Sequence, residues 1–247
     1  MAIANDLESL IIDFKQYLEQ EKRKGLSRVP SSGREAKTVS LPALKPGDKA
    51  AGLEELYREF ANCQNCGLGR TRNKFVFGEG DPNARLMFIG EGPGFDEDQT
   101  GRPFIGKAGQ LLTKAIETTI GLKREEVYIG NIVKCHPMKD PNTPEMRGND
   151  RPPTAEESTS CLPIITRQLE IMQPDIICLL GRSAAQTLLH SNEGIFQLRG
   201  AMHTLTFGAK DIPTIATIHP ASCLYDASNK KYLWEDFKKI RDFLKKA

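Results

Sequence analysis

Apolar positions first recur at helical spacing between Asn5 and Lys24, where Leu7, Leu10, Ile11, Phe14, Tyr17 and Leu18 share one face. Asn5 or Asp6 can cap this stretch and Gly25 ends it, which predicts an N-terminal helix over residues 1–25. From 26 to 50 the period is lost, and Pro30, Ser31, Ser32, Gly33, Pro42, Pro46 and Gly47 give a flexible linker composition. Residues 51–247 read as one dense domain. Leu53–Phe60 is a short helix, and Arg85–Ile89 is a buried strand followed by the turn Gly90-Glu-Gly-Pro-Gly94. A helix opens near Gly106 and runs to about Ile120, and Val127–Val133 is a second strand. After the Pro-rich segment 136–153, a helix runs from Thr154 to Met172, with Thr154 as its cap and Glu156 and Glu157 in its first turn. Asp175–Leu180 and Thr214–Ile218 are strands, Gly181 leads into a helix to His190, and Lys230–Lys246 is a closing amphipathic helix. Strands alternating with helices predict an α/β fold whose parallel sheet carries helices on both faces. Ligands of such sheets bind at the carboxyl ends of the strands, which makes Gly90–Phe104 the loop to watch.

Composition adds little to this. The 247 residues carry 34 basic and 32 acidic side chains, a net charge of +2, which neither announces nucleic acid nor rules it out. No apolar run approaches a membrane span, and the N-terminus lacks the basic and apolar regions of a signal peptide. A soluble, cytoplasmic monomer is therefore expected, with no membrane contact and with the N-terminal helix free to meet a protein partner.

The cysteines change the picture more. They stand at 63, 66, 135, 161, 178 and 223. Without an export signal, ligation is a better reading of Cys63-x-x-Cys66 than a disulfide framework. A zinc ribbon would want a second close pair, whereas an iron–sulfur cubane takes four thiolates from scattered positions. Spacing favours the cluster and leaves zinc open. Cys178, inside a strand, and Cys223 read as structural.

Several motifs then agree in order and spacing. Cys63-x-x-Cys66, Gly90-Glu-Gly-Pro-Gly94, Thr100-Gly-Arg-Pro-Phe104, Asn131-Ile-Val-Lys-Cys135, Cys161, Leu180-Gly181 and His219-Pro-Ala-Ser-Cys-Leu224 together resemble the family 4 iron–sulfur uracil-DNA glycosylases. The resemblance covers roughly Leu53 to the C-terminus. It implies a three-layer α/β/α sandwich with a four-stranded parallel sheet, to which the N-terminal helix is an extension. It also implies a 4Fe-4S cluster on Cys63, Cys66, Cys135 and Cys161, and uracil-containing DNA as the partner from which uracil is removed. Carried over by motif, Phe104 stacks on the flipped uracil, Asn131 reads its polar edge, and His219 supports the leaving base. The Gly90 and Gly92 backbone belongs to the base-binding loop, and Glu91 and Glu97 are the acids suspected of positioning water. The chemistry is consistent, since a base must leave the duplex to be attacked and an amide matches uracil's N3–H and O4.

DNA contact falls to Arg102, Lys107, Lys134 and Arg199, beside predicted loops, and to Leu224 as a minor-groove wedge. Two departures from the family stand out. The segment 136–150 is longer than expected and should form a surface loop near the cluster, and Tyr225 stands where the family often has arginine. A uracil-DNA-binding or iron–sulfur scaffold protein without turnover is the alternative. A dinucleotide-binding oxidoreductase is weaker, because Gly90-x-Gly92-x-Gly94 lacks the third glycine at the proper spacing.

Overall fold

The computed structural model describes residues 48–207 and 210–246. The helix expected over 1–25 and nearly all of the linker expected over 26–50 lie outside the described residues. Asp48 accepts a hydrogen bond from the Ala51 amide and caps α1 (Lys49–Phe60), so the domain begins slightly before residue 51.

A six-stranded sheet forms the middle layer. Its strands are β1 (Glu79–Gly80), β2 (Leu86–Gly90), β3 (Tyr128–Asn131), β4 (Ile176–Leu180), β5 (Met202–Phe207) and β6 (Lys210–Thr217), in the order β1-β3-β2-β4-β6-β5. The expected four-stranded parallel sheet needs correction. β3, β2, β4 and β6 are parallel, but β1 pairs antiparallel with β3 and β5 antiparallel with β6, so the whole sheet is mixed. Both additions are edges. β1 is only two residues long and β5 is half-exposed, so neither carries the continuous apolar run that betrays a buried strand.

Every residue of β2, β3 and β4 is buried, as helices on both faces require. Side-chain alternation along each strand divides the core in two. Met87, Ile89, Ile177 and Leu179 pack beneath α1, α5 (Ala155–Met172) and α6 (Arg182–Leu189). Leu86, Phe88, Ile176, Cys178 and Leu180 pack beneath α4 (Lys107–Ala115) and α9 (Lys230–Leu244). Burying each such side chain contributes about 1.5–3 kcal/mol. The helix expected to reach Ile120 stays α-helical to Ala115 and finishes as a π turn, Ile116–Ile120, closed by Gly121 at φ +83°. Three short helices, α2 (Leu68–Thr71), α3 (Phe95–Thr100) and α7 (Ile195–Leu198), lie in connections, and α8 (Ser222–Tyr225) follows the end of β6. Among the described residues no helix is long and apolar enough to cross a membrane.

Candidate active site at the strand ends

A cavity of about 590 Å³ opens where β2, β3 and β6 end. Its lining includes Glu91, Gly92, Phe104, Asn131 and His219, contributed by three different strand-to-loop transitions. The parallel registers bring these transitions level: Gly90 is paired with Asn131, and His219 follows Thr217, which pairs with Leu180.

Gly90 is where side-chain absence matters most. A Cβ there would lie 2.4 Å from Phe104 Cζ and 2.5 Å from Asn131 Oδ1, so the ring and the amide both rest over the bare backbone. Phe104 occupies the left-handed region at φ +49°, a conformation a bulky residue rarely holds without support. Part of that support is Arg124. It donates to Pro103 O (2.6 Å), to Thr113 Oγ1 (3.0 Å) and to Glu79 Oε1 (2.7 Å). Phe104 also faces the His219 ring, with centroids 5.6 Å apart and a 34° tilt.

Asn131 is buried, and its Oδ1 has no hydrogen-bond partner. An orphaned buried amide oxygen costs about 1–3 kcal/mol, so it needs a reason. Its main chain is held from below. Lys134 is wholly buried and donates from Nζ to Asn131 O (2.8 Å) and to Gln168 Oε1 (2.7 Å). Gln168 in turn donates to Tyr128 Oη and Phe77 O, each at 3.1 Å. Burial lowers the Lys134 ammonium to about 8 despite the pull of the nearby Cys161 and Cys135 thiols. The expectation that Lys134 meets DNA is therefore wrong, because the side chain points into the core.

Burial pushes the His219 imidazole down to about 4, leaving it neutral at physiological pH. The Ala221 amide donates to Nδ1 (3.2 Å), so the neutral ring carries its proton on Nε2 and can donate from there. Gly181, at φ +91°, lets β4 turn past this ring, since a Cβ would lie 2.8 Å from His219 Cβ. Further back, Thr217 Oγ1 donates to Asp236 Oδ2 (2.7 Å) and fixes the end of β6 on α9.

The two candidate acids separate. Glu97 Oε1 accepts the Ile105 and Gly106 amides, both at 3.0 Å, and Oε2 accepts the Gly94 amide (3.1 Å). Its carboxylate staples the Gly94 turn to the backbone after Phe104, and both oxygens are engaged. Glu91 also lines the cavity. Burial raises its carboxyl above the usual range, while a hydrogen bond with Ser183 and the charge of Arg182 act the other way.

Of the residues assigned to DNA, Lys107 is exposed at the cavity lining and Leu224 is half-exposed, beside an almost fully exposed Tyr225. Arg102 is exposed, but its guanidinium is bound by Glu79 at 2.8 and 3.3 Å. Arg199 is not available: it donates to Asp236 (2.8 and 3.0 Å) and Tyr232 O and stacks on the Tyr232 ring. The long segment after Cys135 is mostly exposed over residues 139–148, as a surface loop should be, and its Arg147, Gly148 and Asp150 also line the cavity, so the loop closes one wall of the pocket.

The four thiols assigned to the cluster lie in one neighbourhood. Cys135 and Cys161 are buried in a common core with Cys66 packed against it, and their titrations feel the charges of Cys66 and Cys63. Burial pushes the Cys135 thiol up to about 12 and raises that of Cys161. Arg72 Nη1 donates to Cys135 Sγ (3.0 Å), and a Lys134 backbone contact and its ammonium favour the Cys161 thiolate. Buried thiols gathered under cationic donors suit a group that takes them as thiolates. Among the described residues no three His, Cys, Asp or Glu side chains converge tightly enough to hold a single ion. Cys178 and Cys223 are buried outside this group. Sequence patterns missed Arg72, Arg124, Arg147 and Gln168, which act through distant contacts. The Glu97 staple was visible as a Gly94-x-x-Glu97 spacing at the start of a helix.

Fold and cavity define an α/β protein with a pocket at the carboxyl end of its parallel strands, lined by an aromatic ring and a buried, unpartnered amide oxygen. The chain belongs to the uracil DNA glycosylase superfamily, whose family model matches residues 77–241. It is similar to the type-4 uracil-DNA glycosylase of Sulfurisphaera tokodaii, 40% identical over 194 residues that cover 77% of this chain and 84% of the relative. It is likewise similar to the type-4 enzymes of Archaeoglobus fulgidus (38% identical, covering 76% of this chain and 91% of the relative) and Thermotoga maritima (38%, covering 78% and 95%).

Proposed function

We propose that the protein is a uracil-DNA glycosylase of base excision repair, which flips uracil out of DNA and hydrolyses its N-glycosidic bond to leave an abasic site. The observation that carries the base assignment is the unpartnered, buried Asn131 Oδ1 resting with Phe104 over Gly90. Uracil stacked on Phe104 would donate its N3–H to this oxygen and accept at O4 from the same amide. Cytosine offers the reverse pattern at those atoms and would leave the amide mismatched, a discrimination that buried polar groups make large.

Water adds to C1′ as the C1′–N1 bond breaks, and the bonding electrons leave with uracil, whose charge spreads onto O2. Neutral His219 donates from Nε2 toward that oxygen, and the Gly90–Gly92 backbone amides add to the stabilisation. Glu91, with its carboxylate less engaged than that of Glu97, orients the water, takes the proton it loses as its oxygen bonds C1′, and balances the cation-like sugar; that proton then passes through solvent to the released uracil anion. Lys107 contacts phosphate, and Leu224 fills the space the base leaves.

Cys63, Cys66, Cys135 and Cys161 would hold a 4Fe-4S cluster, which takes thiolates from separate segments more readily than one zinc ion does. When bound, the cluster ties these segments together and leaves the hydrolysis to the protein's side chains. The enzyme would work in the cytoplasm, wherever the DNA is held there.

The test is direct. Incubation with a uracil-containing oligonucleotide followed by alkali should give strand scission, and Asn131→Ala should lower kcat/KM about 100- to 1,000-fold. Scission that persists at the wild-type rate in Asn131→Ala would refute the base-reading assignment. No scission with wild-type protein would refute the activity.

A further inference from the structure

The loop from Lys139 to Asp150 forms one wall of the pocket and has no role in the chemistry proposed so far, yet it is built rather than loose. Met138 and Asp150 form an antiparallel bridge, and the Lys139 amide donates to Asn149 O (2.8 Å). Asn149, itself buried, braces the interior: its Oδ1 accepts the Asp140 amide (2.9 Å), and its Nδ2 donates to Asp140 O (2.7 Å) and Thr143 O (3.0 Å). His136 Nε2 meets Asp150 Oδ1 at 2.7 Å and pins the outgoing end.

This scaffold presents Arg147 at the cavity. The side chain is 72% exposed, its guanidinium lies 4.7 Å above the Phe95 ring, and Nη1 is 2.8 Å from Asp96 Oδ1. Three basic residues line the cavity, Lys107, Arg147 and Arg151. Arg151 is turned away into a two-pronged pair with Glu157 and a bond to Met138 O. An exposed pair such as Arg147–Asp96 is held by at most about 1 kcal/mol, so its guanidinium can transfer to a phosphate, which a planar fork binds well.

Sheet order places this loop. It follows β3, whereas Leu224 and Tyr225 follow β6, and β2 and β4 stand between them. The pocket is thus lined on the β6 side by Tyr225 and on the β3 side by Arg147. We propose that the Lys139–Asp150 loop is a second DNA-gripping element and that Arg147 takes a backbone phosphate beside the extruded nucleotide. This rests on the uracil-DNA reading of the pocket.

Binding of a duplex carrying 2′-fluoro-2′-deoxyuridine, whose electron-poor sugar resists cleavage, is measured against rising KCl. Arg147→Ala should lower the slope of log affinity against log salt by about 0.9 and weaken binding about three- to tenfold near physiological salt. Asp96→Asn should keep the wild-type slope, since it removes the resting partner and leaves the phosphate ligand. An unchanged slope in Arg147→Ala overturns the proposal. So does equal weakening by Asp96→Asn and Arg147→Ala, which would make the pair a brace for the loop. The slope is read on binding alone, so a failure of wild-type uracil release would sink the glycosylase reading without deciding this one.

Discussion

At the scale of single residues, the groups are under-engaged where the proposed base would sit and fully engaged beside it. Asn131 keeps a free amide oxygen and Glu97 keeps none. His219 belongs with the first kind, and its protonation can be tested. Burial holds the folded ring at about 4 against about 6.5 in the unfolded chain, so between those values the unfolded state binds more protons. The stability contributed by the neutral ring is complete above about pH 6.5, declines as pH falls, and is gone below about 4. Comparing Tm of the wild type with His219→Gln, which does not titrate, isolates this group from the acids around it. The advantage of the wild type should shrink steadily from pH 6.5 to 4.5. An advantage that grew on acidification would mean an imidazolium in the folded protein, and the neutral donor assigned to the uracil oxygen would be wrong.

At the scale of elements, the start of α5 joins the pocket to the thiols. Thr154 Oγ1 accepts the Glu157 amide (3.1 Å), Glu157 Oε2 accepts the Thr154 amide (2.8 Å), and Arg151 grips the same carboxylate at 2.7 and 2.8 Å. The pair with Arg151 is the main cause of the lowered Glu157 carboxyl. Cys161 lies one turn further on. Glu157→Ala should cost about 2 kcal/mol, or about 4–8 °C in Tm, and a brown chromophore near 400 nm should bleach faster in air. An unchanged Tm would show that the box is dispensable. This cap was legible in the sequence, as were β2, β3, β4 and the buried end of β6 from Thr214, because buried strands and capped helices leave local patterns; the half-exposed start of β6, Lys210–Pro213, was not. β1 and β5 left none: a half-exposed edge is defined by its partner. The same division runs through the site. Gly90, Asn131 and His219 announce themselves at strand ends, whereas the burial of Lys134 and the capture of Arg199 by Asp236 depend on residues 34 or more positions away.

At the scale of the whole molecule, one buried path links the thiols to Asn131, the amide proposed to read the base. Lys134 precedes Cys135 in the chain, senses the Cys161 and Cys135 thiols, and holds the Asn131 carbonyl. Four thiolates drawn from positions 63, 66, 135 and 161 close long loops, so a group that binds them stabilises the fold chiefly by restricting the unfolded chain. It also fixes the residue next to Lys134. Lys134→Met fills the same space but leaves Asn131 O and Gln168 Oε1 without a donor, at about 1–3 kcal/mol each. That variant should lower Tm and raise KM for uracil-DNA about tenfold, with kcat less affected, because it loosens the reader without touching the leaving-group donor. Stripping the proposed cluster with an oxidant and chelator should reproduce the KM effect in the wild type and add little in Lys134→Met, since both act on Asn131. If the stripped wild-type protein keeps its KM, the thiols and the pocket are independent, and the lysine serves the core alone.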